Sequence, residues 1–294
     1  MRSALAALAL LASSAAAQPP ASVEAPSSSG PIGQCGFDPV TLTFTGSAVE
    51  QAECLLQKIA WRGIRSPQAL PEVLRRVLSE GGAPPPGALE IVLARFPEPY
   101  RTFAVANAAL PVSQTEAGMA ARYFVIHDTS TPFLRERRFP RDLDRDPEVN
   151  AFAPYFAAEP VAHIFLNRGG QIWAGHDFVQ PWRATKLESR VVGIPARGRF
   201  LHIETIQPRR LATGSQWRGD TLGPEPGFSK AQYRMLAALY VYASARAGAW
   251  LIPGFHNGVD AGIPEAHDDP QNFQLKSFGQ ELEKLLKEAR HSAA

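Results

Sequence analysis

The sequence predicts an α/β layered domain, with a small helical element before it. A continuous apolar run at 123–126 is typical of a buried strand, and the apolar segment 162–173 is interrupted by a glycine pair, which indicates a hairpin. A capped amphipathic helix begins at Ser229. Strands and helices that alternate in this way pack as layers around one core. We place this domain at residues 111–290 and a mainly helical region at residues 35–110.

The predicted strands end in polar residues. The run 123–126 stops at His127, where the chain becomes polar. Residues 162–166 and 171–173 form the predicted hairpin, and 200–206 is a third strand. Their order along the chain predicts that polar side chains gather at the rim of one sheet.

The strongest helix signal follows the third strand. Ser229 is the predicted N-cap, Gln232 completes a capping box, and Gly248 is the stop. The short apolar run 250–253 then leads into His256, which predicts another strand of the same layer.

The region before the domain carries two helix signals. The capping box Ser47–Glu50 opens one helix, which we expect to end near Gly63. Ser66-Pro67 is the predicted start of a second, and Gly81-Gly82 is its stop.

The first residues have the composition of a signal peptide. One positive charge precedes the apolar run Ala4–Ala12, and Ala15-Ala16-Ala17 satisfies the small-residue cleavage rule. We interpret residues 1–17 as a cleaved signal and the Pro/Ser-rich residues 18–34 as a disordered linker. The apolar run is shorter than the roughly 20 residues of a membrane span. We therefore expect a periplasmic or secreted protein without a membrane span.

Two cysteines fit an exported protein. Cys35 and Cys54 are the only cysteines of the chain. Disulfides persist in oxidising compartments, so we predict that the two residues form a bridge. Closing a loop of about 20 residues contributes roughly 3 kcal/mol.

The charge balance excludes one class of partner. The chain has 30 basic and 28 acidic residues and a formal net charge of +2. A balance this even, without a run of Lys or Arg, gives no reason to expect binding to nucleic acid.

The candidate chemistry lies in histidines and carboxylates at predicted strand ends. His127 ends a strand, His256 follows an apolar run, and Glu204 lies within a strand. Catalytic zinc takes three nitrogen or oxygen ligands and keeps one position open. His127 and His256 are candidates for two ligands, and any residue of the cluster His267-Asp268-Asp269 can supply the third.

Two further histidines lie on predicted strands. We interpret His163 as structural. His202 flanks Glu204, where it either lines the cleft or supports the site from the core.

Five segments between residues 120 and 275 form an ordered set of motifs. They are Tyr123–Ser130 (YFVIHDTS), Ala162–Trp173 (AHIFLNRGGQIW), His202–Ile206 (HIETI), the helix from Ser229, and Gly254–Phe273 (GFHNGVDAGIPEAHDDPQNF). In order and approximate spacing this set resembles the type 2 zinc N-acetylmuramoyl-L-alanine amidases. That family is related to phage amidase-lysozymes and to peptidoglycan-recognition proteins. The resemblance implies a mixed central β-sheet flanked by helices.

The resemblance implies a role for each motif residue. His127 matches the first zinc ligand, His256 the second, and Asp269, which precedes a proline, the third. Glu204 matches the catalytic glutamate. His267 stands two positions before the ligand Asp, where the family usually has Lys.

The last motif departs from the family pattern. The loop between His256 and Asp269 is longer than in the family and lacks its Arg-Lys pair, and Asp-Pro-Gln replaces Asp-Pro-Gly. Asp268 and His267 therefore stay open as alternative third ligands.

The implied activity is zinc-dependent hydrolysis of the amide between N-acetylmuramic acid and L-alanine. Zinc lowers the pKa of bound water and polarises the carbonyl. Glu204 would serve as general base and then acid, and His267 would stabilise the oxyanion. We expect peptidoglycan or muropeptides as partners of a monomeric protein. The alternatives are a non-catalytic peptidoglycan-binding module on the same fold and a hydrolase of a different amide.

Overall fold

The computed structural model describes residues 30–134, 138–156, 159–215 and 221–292. At its centre lies a mixed sheet of five strands flanked by helices, which confirms the α/β prediction at this level. In chain order the strands are β1 (Tyr123–Asp128), β2 (Ile164–Leu166), β3 (Ile172–Ala174), β4 (Phe200–Thr205) and β5 (Ile252–Phe255). Their order across the sheet is β5-β1-β4-β2-β3, with β3 antiparallel to β2 and the other neighbours parallel.

Helices surround the sheet. Among the described residues they are α1 (Ala48–Leu55), α2 (Glu72–Glu80), α3 (Ala88–Arg95), α4 (Tyr100–Asn107), α5 (Lys230–Ala247), the single turn α6 (His256–Val259) and α7 (Leu275–Ser292). No helix among these is long and apolar enough to cross a membrane. The capping box at Ser229 and Gln232 and the left-handed Gly248 bound α5 as the sequence predicts.

The two faces of β1 meet different partners because side chains alternate along a strand. On one face the ring of Phe124 lies 5.4 Å from that of Tyr240 in α5. On the other face Tyr123 contacts Phe44 and stacks on Phe200, with ring centroids 5.2 and 4.9 Å away. Aromatic side chains therefore cover one end of this face, and the other end carries the polar residues.

The N-terminal helices share one hydrophobic core with the sheet. The Tyr123 hydroxyl donates to Gln51 in α1 across 2.9 Å. Gly258 in α6 lies so close to α1 that an added Cβ would lie 2.1 Å from the carbonyl oxygen of Leu55. The region before residue 111 is therefore packed against the strand and turn that carry His256.

The predicted disulfide is present, between Cys35 and Cys54. It joins the start of the described chain to α1. The predicted signal at residues 1–17 lies outside the described residues, as does most of the linker 18–34. Within residues 30–34, the Gln34 amide already donates to the Ala261 carbonyl across 2.7 Å, so ordered contacts begin before residue 35.

Some helix boundaries differ from the prediction. The second helix begins at Glu72 rather than at Ser66-Pro67. Arg65–Ser66 instead pairs with Lys58–Ile59, because a residue before proline favours extended backbone. The first helix ends at Leu55, well before Gly63. Helix α7 was not predicted.

Candidate metal centre

Three parallel strands bring candidate residues to one edge of the sheet. His127 lies one residue before the end of β1, and Glu204 lies one before the end of β4. The register pairs these two residues directly. Strand β5 ends at Phe255, so His256 begins α6 at the same edge. Parallel strands end together, which is why residues far apart in sequence converge here.

Asp269 forms a group of three buried side chains with His127 and His256. The Nδ1 atoms of the two histidines are 3.0 Å apart. An Asp269 carboxylate oxygen lies 3.0 Å from the Nδ1 of His256, and the other lies 3.9 Å from the Nδ1 of His127. One ligand atom from each residue falls within 4.8 Å of the others, and the side chains could hold a metal ion.

Neither alternative third ligand belongs to this group. Asp268 approaches Arg209, with 3.6 Å between its Oδ1 and Nη2, and accepts a hydrogen bond from Gln271. The side chain of His267 is 58% exposed, and its Nδ1 lies 3.8 Å from Asp269. Its ring lies beside that of His256, with 4.6 Å between centroids. Asp269, rather than Asp268 or His267, joins the two buried histidines.

The charges of the cluster are mutually compensated. Burial and the neighbouring His256 hold the pKa of His127 well below its usual value, which keeps this imidazole neutral. Burial alone would lower the pKa of His256, but Asp269 and Asp260 raise it well above its usual value. Burial opposes ionisation of Asp269, yet His256 outweighs it and lowers the pKa of that carboxyl. Buried ligands of this kind are retained because they are paired.

Glu204 has an oxygen without a partner beside this cluster. Its Oε1 lies 3.8 Å from the Nδ1 of His127, and its buried Oε2 makes no hydrogen bond within the described part of the chain. Burial, and then the negative charge of Asp269, raise the pKa of Glu204 to about 8. A bound cation would act in the opposite direction. A carboxyl group placed in this way can accept and release a proton near neutral pH.

A cleft of about 550 Å³ opens onto the cluster. Glu204, His256 and Asp269 line it together with residues from the segment 182–190. Another cavity, of about 840 Å³, lies at the N-terminal segment, and none of the ligand candidates lines it. The first cleft is therefore the relevant one, because chemistry needs both a site and access to it.

A buried ion pair ties the loop that carries Asp269 to β1. Arg209, which is 0% exposed, donates to Asp128 across 2.7 Å. Asp128 also accepts from the Gln271 amide across 3.1 Å, and its own amide donates to Asp269 across 3.1 Å. The ion pair therefore anchors both sides of Asp269.

Sequence reasoning missed several of these supporting residues. Asp260 follows His256 by four positions, and this spacing places two side chains on one face of a helical turn. Asp128 directly follows a predicted ligand. No local pattern singles out Arg209, because its partner Asp128 lies 81 positions away in the sequence.

Comparisons of the chain with protein-family models, with curated proteins and with solved structures find no match. The resemblance to zinc amidases therefore remains a prediction from the sequence motifs.

Proposed function

We propose that this protein is a zinc amidase that hydrolyses the bond between the lactyl group of N-acetylmuramic acid and the L-alanine of a stem peptide. The substrate is peptidoglycan or a muropeptide, which an exported protein meets in the periplasm or outside the cell. The ordered motifs and the geometry at the end of the sheet support this proposal together. We also propose that the mixed sheet is that of the amidase and peptidoglycan-recognition fold.

The donor set fits zinc. Two neutral imidazoles and one carboxylate are ligands of catalytic zinc sites, which keep a further position for water or substrate. Tetrahedral bonds of about 2.0–2.1 Å place ligand atoms roughly 3.3 Å apart. The closest separations among His127, His256 and Asp269 are 3.0, 3.0 and 3.9 Å, close to that spacing.

The observation that carries the proposal is the unpartnered oxygen of Glu204. A buried polar atom without a partner is costly, and structural carboxylates are normally satisfied. Glu204 lies on the same edge as the three ligands and lines the open cleft. A binding module needs no such carboxylate, whereas hydrolysis needs a group that moves a proton.

Glu204 and His267 have different roles in the proposed reaction. Zinc, when bound, activates water and polarises the scissile carbonyl. Glu204 accepts the proton of the water at its free carboxylate oxygen and delivers it to the leaving amine nitrogen. His267 lies at the cleft beside His256, where burial lowers its pKa. As a neutral N–H donor it stabilises the oxyanion that develops on the carbonyl.

Digestion of purified peptidoglycan and of a defined muropeptide by the zinc-loaded protein tests the proposal. Mass spectrometry should find intact muramic acid and peptides with a free L-alanine amine. A Glu204→Gln variant should lose about 100- to 10,000-fold in rate, the usual contribution of general acid–base catalysis. Zinc content measured on the same sample should stay at the wild-type level.

A matched Glu90→Gln variant, on the exposed surface of α3, should keep the wild-type rate. Substrate that is bound but left intact would identify a binding module. Cleavage at another amide would identify a different hydrolase. Either outcome overturns the proposal.

A further inference from the structure

The two candidate ligand histidines are held through the ring nitrogens that face away from the site. The Nε2 of His127 lies 3.1 Å from the Nδ1 of His202. The Nε2 of His202 lies in turn 3.2 Å from the carboxylate of Glu188. On the other side, the Nε2 of His256 lies 3.0 Å from Asp260. His202, Glu188 and Asp260 are each 0% exposed.

The direction of the proton in each hydrogen bond follows from the partners of the two carboxylates. Glu188 accepts from the amides of Ala184 and Thr185 across 3.2 and 3.1 Å. Asp260 accepts from the amides of Lys186 and Leu187 across 3.0 and 2.9 Å. A carboxylate surrounded by fixed donors acts only as an acceptor, so the imidazole that faces it must donate.

The proton position that Glu188 imposes on His202 also determines which nitrogen of His127 carries a proton. In the neutral imidazole of His202, a proton on Nε2 leaves Nδ1 as an acceptor. His127 must then donate from its Nε2, which leaves the lone pair of its Nδ1 directed at the ligand cluster. The hydrogen bond that His256 donates to Asp260 imposes the same tautomer on His256 when that ring is neutral. Metal ligation requires an unprotonated nitrogen, and Nδ1 is the nitrogen that both rings present.

Both carboxylates bind the same short segment of backbone. The amides that donate to the two carboxylates belong to residues 184–187. The chain continues as a wide helical turn over Leu187–Val191, in which the Val192 amide donates to the Leu187 carbonyl across 2.9 Å. The same segment lines the cleft. One turn therefore orients both histidines and forms part of the substrate path.

We propose that Glu188, His202 and Asp260, anchored on the 184–191 turn, are positioning residues that set the ring tautomers of His127 and His256 for metal binding. This inference rests on the metal-binding part of the proposed function. Partners behind metal ligands of this kind contribute about 10- to 100-fold in metal affinity.

A Glu188→Gln variant tests the inference through the direction of the hydrogen bonds. The amide oxygen can still accept from Ala184 and Thr185, but the amide nitrogen then donates towards His202. This reverses the two bonds and puts a proton on the Nδ1 of His127. We expect zinc affinity, measured by competition with a chromophoric chelator, to fall about 10- to 100-fold. Long-range ¹H–¹⁵N spectra of the metal-free protein should show His127 changing from the Nε2–H to the Nδ1–H form.

His163 provides a matched control. It is equally buried, and its ring stacks on that of His202 with 5.7 Å between centroids. Its Nδ1 accepts a hydrogen bond from the His202 backbone amide, but it lies outside both hydrogen-bond paths. A His163→Gln variant should lose stability yet keep the zinc affinity and the His127 tautomer. If Glu188→Gln does not fold, Asp260→Asn, which removes the carboxylate charge that accepts the Nε2 proton of His256, tests the His256 path by the same zinc titration.

Folded variants that keep wild-type zinc affinity and the Nε2–H form would overturn the inference. If such variants still cleave muropeptide, the proposed function stands and only the positioning role fails. If Glu188→Gln weakens zinc binding in a protein that cleaves no muropeptide, the positioning role stands and the amidase proposal fails.

Discussion

The candidate metal centre has two halves that are built by different means. The strand half consists of His127 and Glu204, which face each other across adjacent strands in direct register. The loop half consists of His256, which begins the single turn α6, and Asp269, which lies in the loop that follows it. Backbone pairing sets where His127 and Glu204 lie along the sheet, whereas hydrogen bonds to buried side chains hold the backbone of the loop half in place. The backbone position of the loop half therefore depends on individual polar residues outside the candidate ligands, above all on Asp128.

The largest expected effect is a loss of zinc affinity that distinguishes Asp269 from Asp268 in the loop half. An Asp269→Ala variant removes a carboxylate that contacts the Nδ1 of His256, so zinc affinity should fall by more than the about 100-fold that a supporting residue contributes. Asp268→Ala removes a carboxylate directed at Arg209, and its zinc affinity should fall by less than this. Equilibrium zinc titration of both variants measures the difference. Equal losses would contradict the assignment of Asp269 as the ligand.

Removing the charge of Asp128 should release the anchor of the loop half. Asp128→Asn leaves the buried guanidinium of Arg209 without its main counter-charge, and breaking a buried pair in this way costs about 3–5 kcal/mol. The free energy of unfolding, measured in denaturant, should fall by that amount, and zinc affinity should fall with it.

A double variant that removes both charges separates the effect of Asp128 on stability from its effect on the position of the loop. Asp128→Asn combined with Arg209→Met removes both charges, which should restore much of the stability. Zinc affinity should stay reduced, because the carboxylate that held the Gln271 amide is still missing. Recovery of affinity together with stability would show that Asp128 does not position the loop.

The sequence predicts the strand half of the site more completely than the loop half. Strands β1 and β4 are visible as apolar runs because parallel strands are buried on both faces. The strand end therefore points directly to His127, and the capping box and final glycine point to α5. The start of α2 was misplaced because Ser66-Pro67 has the composition of a helix start, yet its backbone pairs with Lys58–Ile59.

The loop half is only partly predictable because its geometry depends on partners distant in sequence. A motif resemblance singles out Asp269, but residue chemistry alone leaves Asp268 and His267 as equal candidates. The choice is made by the Asp128–Arg209 pair, whose members lie 81 positions apart. In the strand half, the His202–Glu188 contact behind His127 joins a strand to a wide turn that no periodicity reveals.

Removal of the disulfide would show whether the N-terminal region supports the loop half. The bridge ties the segment containing Gln34, whose amide binds the Ala261 carbonyl, to α1, which packs against α6. Replacing Cys35 and Cys54 by Ser should lower the free energy of unfolding by about 3 kcal/mol, as expected for a loop of this length. Zinc affinity of the folded protein should change little, because neither cysteine contacts a ligand. A large loss of affinity would show that the strand half alone cannot hold the site.

The smallest effect is expected at His267, which belongs to the loop half but lies largely in solvent. Exposed side chains are held by few contacts, and a hydrogen bond from a neutral donor contributes about 1 kcal/mol. His267→Ala should therefore slow muropeptide hydrolysis about five-fold, far less than Glu204→Gln, and leave zinc affinity unchanged. His267→Lys, which supplies a permanent charge at the same position, should match or exceed the wild-type rate. A His267→Ala rate as low as that of Glu204→Gln would contradict the comparison, because an exposed loop residue would then matter as much as the buried carboxylate.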